Sequence, residues 1–238
     1  VFTSGKDRRL FIDRWETAIW FNNYWKYIAP KSAISSTWIQ PGFNDVNWTS
    51  GKGGIGFGDG DDSTTIATNI SLFIRQKFDV PDTGKIVRML LSMDYDDGFI
   101  AYLNGIEIAR SNMNGNAWND SATATHEALI YQGYAPETFD IPDSVFRNLL
   151  MPTGNVLAIQ VHNLVPNSSD LSAIPNLSLA VADTGTWYAK RNLSWIPSIN
   201  KTYLHTNFKL GRNDILKKQG NPEKYIGNFK KTRYVEAI

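Results

Sequence analysis

The sequence predicts an antiparallel all-β sandwich or barrel, from three observations. Alternating apolar and polar runs recur at roughly 8–15-residue spacing, the rhythm of short strands joined by turns. Gly, Pro, Asn and Asp punctuate those runs, each supplying turn geometry that other residues resist. No long stretch carries the 3.6-residue period of an amphipathic helix.

The clearest strands lie in residues 90–110. Leu91, Met93 and Tyr95 share one parity, and Asp96-Asp97-Gly98 reads as a turn. Ile100 and Tyr102 then lead into Asn104-Gly105, a strong hairpin signal because both central residues must tolerate positive φ. Two turns within one short segment predict a three-stranded β-meander, with the first strand starting at Ile86.

The other elements follow in chain order. Residues 1–17 read as an N-terminal arm, and residues 18–28 as one or two strands ending at Ala29-Pro30. Residues 30–50 read as loop; Trp38, Phe43 and Trp48 there either plug one end of the sandwich core or form a ligand platform. Residues 51–63 are too rich in Gly for a helix. Ser71 to Val80 alternates and stops at the Pro81–Gly84 turn. Residues 111–135 form a long polar loop, and long loops in compact domains are often functional. Glu137 to Ile141 is a short strand, and Asp143 to Leu150 at most two helical turns. Gly154 to Asn163 is a strand whose inward parity is either Val156 and Ala158 or Leu157, Ile159 and Val161. Leu177 to Val181 closes the domain at about residue 183. Residues 184–238 hold about half of the Lys and Arg and read as an extension or a linker to a following domain.

Composition narrows the function. The 238 residues are 42% apolar and 13% aromatic, ample for a sizeable core. A net charge of +1 gives no electrostatic footprint for nucleic acid. There is no Cys, which excludes disulfides, thiolate metal sites and cysteine nucleophiles. No apolar run is long enough for a membrane-spanning helix. A Cys-free chain rich in Trp, Tyr, Asn and Gly, starting at Val1, is expected from a secreted or surface bacterial protein, any signal peptide having been removed.

Ordered motifs carry a resemblance. They are Trp25-x-Tyr27, Phe43-x-Asp45-x-x-Trp48-x-x-Gly51, Gly56-Phe57-Gly58-Asp59, Arg75-x-x-Phe78, Asp94-Tyr95-Asp96-Asp97-Gly98, Tyr102-x-Asn104-Gly105 and Gly154-Asn155-Val156-Leu157-Ala158. Together they resemble the galactose-binding-like jelly-roll modules of bacterial multidomain secreted proteins. They are also similar to carbohydrate-binding modules and to the sugar-binding domain of family 2 glycoside hydrolases. The resemblance covers about residues 20–182 and implies a jelly roll that binds sugars, caps a catalytic domain or mediates adhesion; it carries no catalytic residues. Residues 204–210 look like the first strand of a lamin-tail-like domain.

Four constellations bear on chemistry. Asp59, Asp61, Asp62 and Thr64 on a Gly-rich loop suit a structural Ca²⁺, which such jelly rolls often hold; the alternative is a solvated acidic loop. Asp94 and Asp96, about 6.5–7 Å apart by strand rise, have the look of a glycosidase pair, but Asp also favours turns, and Asp94 could pair with Arg75 or Arg110. His162-Asn163 at a strand end is either a ligand contact or a satisfied polar pair. Trp118, with Asn116 and Asn119 beside it and Tyr131 and Tyr134 in the same loop system, has the composition of a sugar platform; the alternative for Trp118 is a loop anchor. The expected function is a non-catalytic glycan-binding or adhesion module; the alternatives are a structural accessory or interaction domain without a glycan ligand and, last, a glycoside hydrolase. Its partners would be a glycan or polysaccharide and neighbouring domains.

Overall fold

The computed structural model describes residues 12, 14–58, 60 and 62–182. The 184–238 extension, its lamin-tail-like stretch, and Asp59 and Asp61 lie outside the described residues.

The described residues form an antiparallel-rich β-sandwich, as the sequence predicts. Twelve strands run in chain order: β1 Arg14–Ile19, β2 Tyr24–Ile28, β3 Thr49–Lys52, β4 Ile55–Phe57, β5 Thr64–Thr65, β6 Ser71–Phe78, β7 Ile86–Tyr95, β8 Gly98–Leu103, β9 Ile106–Ser111, β10 Glu137–Ile141, β11 Asn155–His162 and β12 Leu171–Val181. One helix, α1 Asp143–Leu149, precedes β11. The first sheet has the order β10-β7-β12-β4-β5, with β1 also pairing β12. The second has the order β3-β2-β6-β11-β8-β9. The β4–β5 pair is parallel and the other pairings are antiparallel.

Several expectations change. The meander does not form, because β7 lies in the first sheet against β10 and β12, while β8 and β9 lie in the second. Asp96-Asp97 is therefore a corner between sheets, where the chain crosses the core rather than folding back on itself. The Asn104-Gly105 hairpin forms as predicted, with φ of 51° and 91°. Asn104 does more than turn: its amide donates to Leu149 O and accepts from Val156 N, tying the hairpin to the start of β11. Next, residues 14–17, read as arm, belong to β1 and pair with β12. Finally, β12 starts at Leu171 rather than Leu177 and runs through Pro175, a residue that argues against a strand from sequence because it cannot donate to the ladder.

The main core fills the space between the sheets. Leu91, Met93 and Tyr95 of β7 meet Leu157, Ile159 and Val161 of β11, with Trp25, Phe99 and Leu177 packed among them. Val156 and Ala158 point the other way, yet they too are buried. Both parities of β11 are thus apolar because the second sheet is covered on both faces.

The outer cover is the 30–48 segment. Trp38, Phe43 and Trp48 do not plug an end of the core; they form a separate apolar layer on the outer face of the second sheet. Trp38 stands edge-on to Phe73 and Tyr102, at 4.8 and 5.8 Å between ring centroids. Arg75 fixes this cover. Its guanidinium is buried, donates to Asp45 Oδ2 at 3.0 Å and to Gln40 O at 3.2 Å, and lies 5.0 Å above the Phe43 ring.

Candidate functional site

The acidic corner between β7 and β8 organises the surface around it. Asp94 is fully buried and pairs with neither Arg75 nor Arg110; those guanidinium groups hold Asp45 and Glu107. Its two carboxylate oxygens accept successive backbone N–H groups, Leu129 at 2.7 Å and Ile130 at 2.9 Å. Asp97 works the same way on two segments, accepting from His126 N at 2.9 Å and Leu164 N at 2.7 Å. Both carboxylates thus serve loops 29 to 67 residues away in the chain. A glycosidase pair needs a free acid and a free base or nucleophile. Of the expected Asp94–Asp96 pair, Asp94 holds backbone, as Asp97 does, while Asp96 is buried at the corner between them.

What they hold is a compact turn. Gln132 N and Tyr134 N donate to Leu129 O, and Gly133 N donates to Ile130 O. Gly133 takes φ 84°, a conformation that strains any residue with a Cβ. Upstream, the His126 ring stacks on Tyr95 with centroids 4.0 Å apart, and its Nδ1 lies 2.9 Å from Tyr95 O. Tyr131 and Tyr134 stand on this turn with 42% and 56% of their surface exposed. The Tyr131 hydroxyl donates to Glu127 Oε2 at 3.3 Å. Two exposed aromatic rings on an immobilised turn offer stacking faces that need little ordering on binding.

The structure separates the other predicted site residues from this turn. Trp118 is half-buried and packs on the outer layer of the second sheet, and its carbonyl oxygen accepts from Ser71 Oγ at 2.5 Å. It anchors its loop, while Asn116 and Asn119 beside it are exposed. His162 and Asn163 are fully buried, so neither faces the surface. His162 Nδ1 lies 2.8 Å from Asp120 O, and Asn163 Nδ2 donates to Asn69 O. In the acidic loop, Thr64 Oγ1 donates to Lys52 O at 2.7 Å, and Asp62 lies over Gly56, where an added Cβ would stand 2.7 Å from its carboxylate. Among the described residues no three carboxylate or imidazole groups meet at metal-ligating distance. The carboxylates of Asp59 and Asp61 lie outside the described residues.

Two titrations set opposing pH slopes. Burial lowers the His162 pKa from 6.5 to about 4. The unfolded chain therefore binds a proton that the folded chain refuses, and stability falls as pH drops from about 6.5 to about 4, by about 3 kcal/mol in all. Asp96 behaves oppositely. Burial first, then the negative charges of Asp170, Asp97 and Glu127, raise its pKa from 3.8 to about 8. The folded chain keeps a proton that the unfolded chain gives up, so stability declines as pH rises from about 4 to about 8 and is level above. The expected result in thermal melts is that Asp96→Asn gains Tm over the wild type at pH 8 and much less at pH 5. An equal difference at both values would remove Asp96 as the source of the alkaline slope.

No family model and no curated protein matches this chain. Several solved structures are similar to part of it. A β-glucuronidase of Bacteroides uniformis matches with TM-score 0.45 and 16% identity, over 70% of this chain and 18% of that one. A β-glucuronidase from glycoside hydrolase family 2 matches with TM-score 0.40 and 19% identity, over 68% and 15%. The Ruminococcus gnavus β-glucuronidase in complex with uronic isofagomine matches with TM-score 0.41 and 12% identity, over 71% and 28%. The match spans less than a third of each enzyme. At such scores and identities the likeness carries no argument about function. Fold and site together define a β-sandwich with a hydrogen-bonded turn that carries two exposed tyrosines. Among the described residues no helix is long and apolar enough to cross a membrane.

Proposed function

We propose that this domain is a non-catalytic glycan-binding module of a larger secreted or surface protein, and that it binds through Tyr131 and Tyr134. One observation carries the reading: both rings are exposed on a turn whose backbone is fixed by the buried Asp94 carboxylate. Sugar rings present apolar C–H faces that stack on aromatic side chains, while nearby polar groups hold the hydroxyls. Glu127, Gln132 and the exposed Tyr hydroxyls supply those polar groups. The employment of Asp94 and Asp97 on backbone N–H groups supports a binding role over hydrolysis.

A glycan array tests this directly. The wild-type chain is expected to bind a defined set of glycans. Tyr131→Ala and Tyr134→Ala should each weaken that binding at least about tenfold, and leave Tm nearly unchanged because both rings are exposed. Binding that survives both substitutions would move the site elsewhere, and turnover of any retained glycan would overturn the non-catalytic reading.

A further inference from the structure

Sheet two carries an unmet demand beneath the Trp118 loop. Gln160 and His162 alternate along β11, so both point to the same face, and both are fully buried. Their contacts identify that face as the outer one. Gln160 Nε2 donates to Tyr102 Oη at 3.1 Å, and the His162 ring stands edge-on to Phe73, 5.8 Å between centroids. His162 Nδ1 faces the Asp120 carbonyl at 2.8 Å, which fixes the proton on Nδ1 and leaves Nε2 as an acceptor. Among the described residues, neither Gln160 Oε1 nor His162 Nε2 has a hydrogen-bond partner. A buried acceptor without a donor is costly, and two stand two residues apart on one strand.

The surroundings decide what would answer them. The floor is mixed: Phe73 and Ile100 lie opposite Gln160 in register on β6 and β8, an apolar frame around two polar atoms. The roof is the Trp118 loop, tied down by Ser71 Oγ to Trp118 O and by His162 Nδ1 to Asp120 O. The Asp120 charge favours a protonated ring, but burial outweighs it and keeps His162 neutral. Two acceptors in an apolar frame suit a neutral ligand that brings O–H donors.

We infer that Gln160 Oε1 and His162 Nε2 form a buried hydroxyl-binding subsite, roofed by the Trp118 loop, that takes an O–H donor. That donor is either a sugar hydroxyl admitted when the loop lifts or an internal water. The subsite goes beyond the tyrosine turn and stands whether or not that turn binds glycan.

The test is the long-range ¹H–¹⁵N spectrum of the His162 ring in the whole chain, recorded alone and with millimolar glucose, galactose, mannose or xylose. A hydrogen-bonded Nε2 that moves on adding a sugar, with binding weakened about tenfold in Gln160→Met, supports the sugar as donor. A hydrogen-bonded Nε2 that no sugar moves supports the internal water. A ring with the proton on Nε2, or with a bare Nε2 under every condition, overturns the subsite. Tyr131→Ala and Tyr134→Ala weaken binding at the turn and leave this signal in place, so the two sites fail separately.

Discussion

Asp94→Ala is expected to lower the unfolding free energy by about 2–4 kcal/mol, because it strands two part-buried N–H donors at once. The N–H groups of Leu129 and Ile130 have the Asp94 carboxylate as their acceptor, at 2.7 and 2.9 Å. Asp94→Asn keeps one oxygen acceptor and should lose about half as much. Urea melts of the two variants check the order. The same substitution should weaken glycan binding, although Asp94 is fully buried and touches no ligand. Its effect is on position: once the turn is free, Tyr131 and Tyr134 must be ordered at the moment of binding. A variant with full stability and full binding would show that the turn holds itself.

The second large effect is asymmetric. Asp45→Ala should cost about 3–5 kcal/mol, because it leaves a buried guanidinium without its counter-charge. Arg75→Met should cost less. The side chain of Arg75 is 1% exposed and that of Asp45 14%, so the carboxylate left behind can reach water while the guanidinium cannot. Met also fills much of the volume beneath the Phe43 ring. Equal losses from the two variants would place the energy in packing rather than in charge. Either change should loosen the Trp38 and Trp48 cover while leaving the inter-sheet core intact, since the two apolar layers lie on opposite faces of the second sheet.

These two residues mark where the sequence stops being readable. Local signals served well. Asn104-Gly105 marked the β8–β9 hairpin because its geometry is set by two adjacent residues. Glu137–Ile141 was legible as a strand from its own alternation and became β10. The sheet to which each strand belongs was not legible. β7 and β8 follow one another like hairpin strands, yet they face each other across the core, since alternation states which face is apolar and not which neighbour covers it. The same limit hid the outer layer: Trp38, Phe43 and Trp48 have no period, and their target, Phe73 with Tyr102, lies on two strands distant in sequence.

The site divides along the same line. Tyr131 and Tyr134 were legible as exposed aromatics in a polar loop. Asp94 was not legible as their support, because its partners lie 35 and 36 residues on. The hint was Leu129-Ile130, two apolar residues inside that loop. Composition offered Trp118 as a sugar platform and, separately, His162-Asn163 as a ligand contact or a satisfied polar pair. Trp118 is half-buried against the outer layer of the second sheet, and His162 is fully buried on β11, where Gln160, overlooked as an ordinary strand residue, shares its face.

The most direct measurement is a backbone ¹H–¹⁵N titration of the chain with a glycan that it retains on the array. The account predicts that the amides shifted by the glycan cluster from Glu127 to Tyr134, and that the same glycan leaves those amides unmoved in Tyr131→Ala/Tyr134→Ala. Shifts confined to another surface, or a glycan that binds without moving that turn, would contradict it.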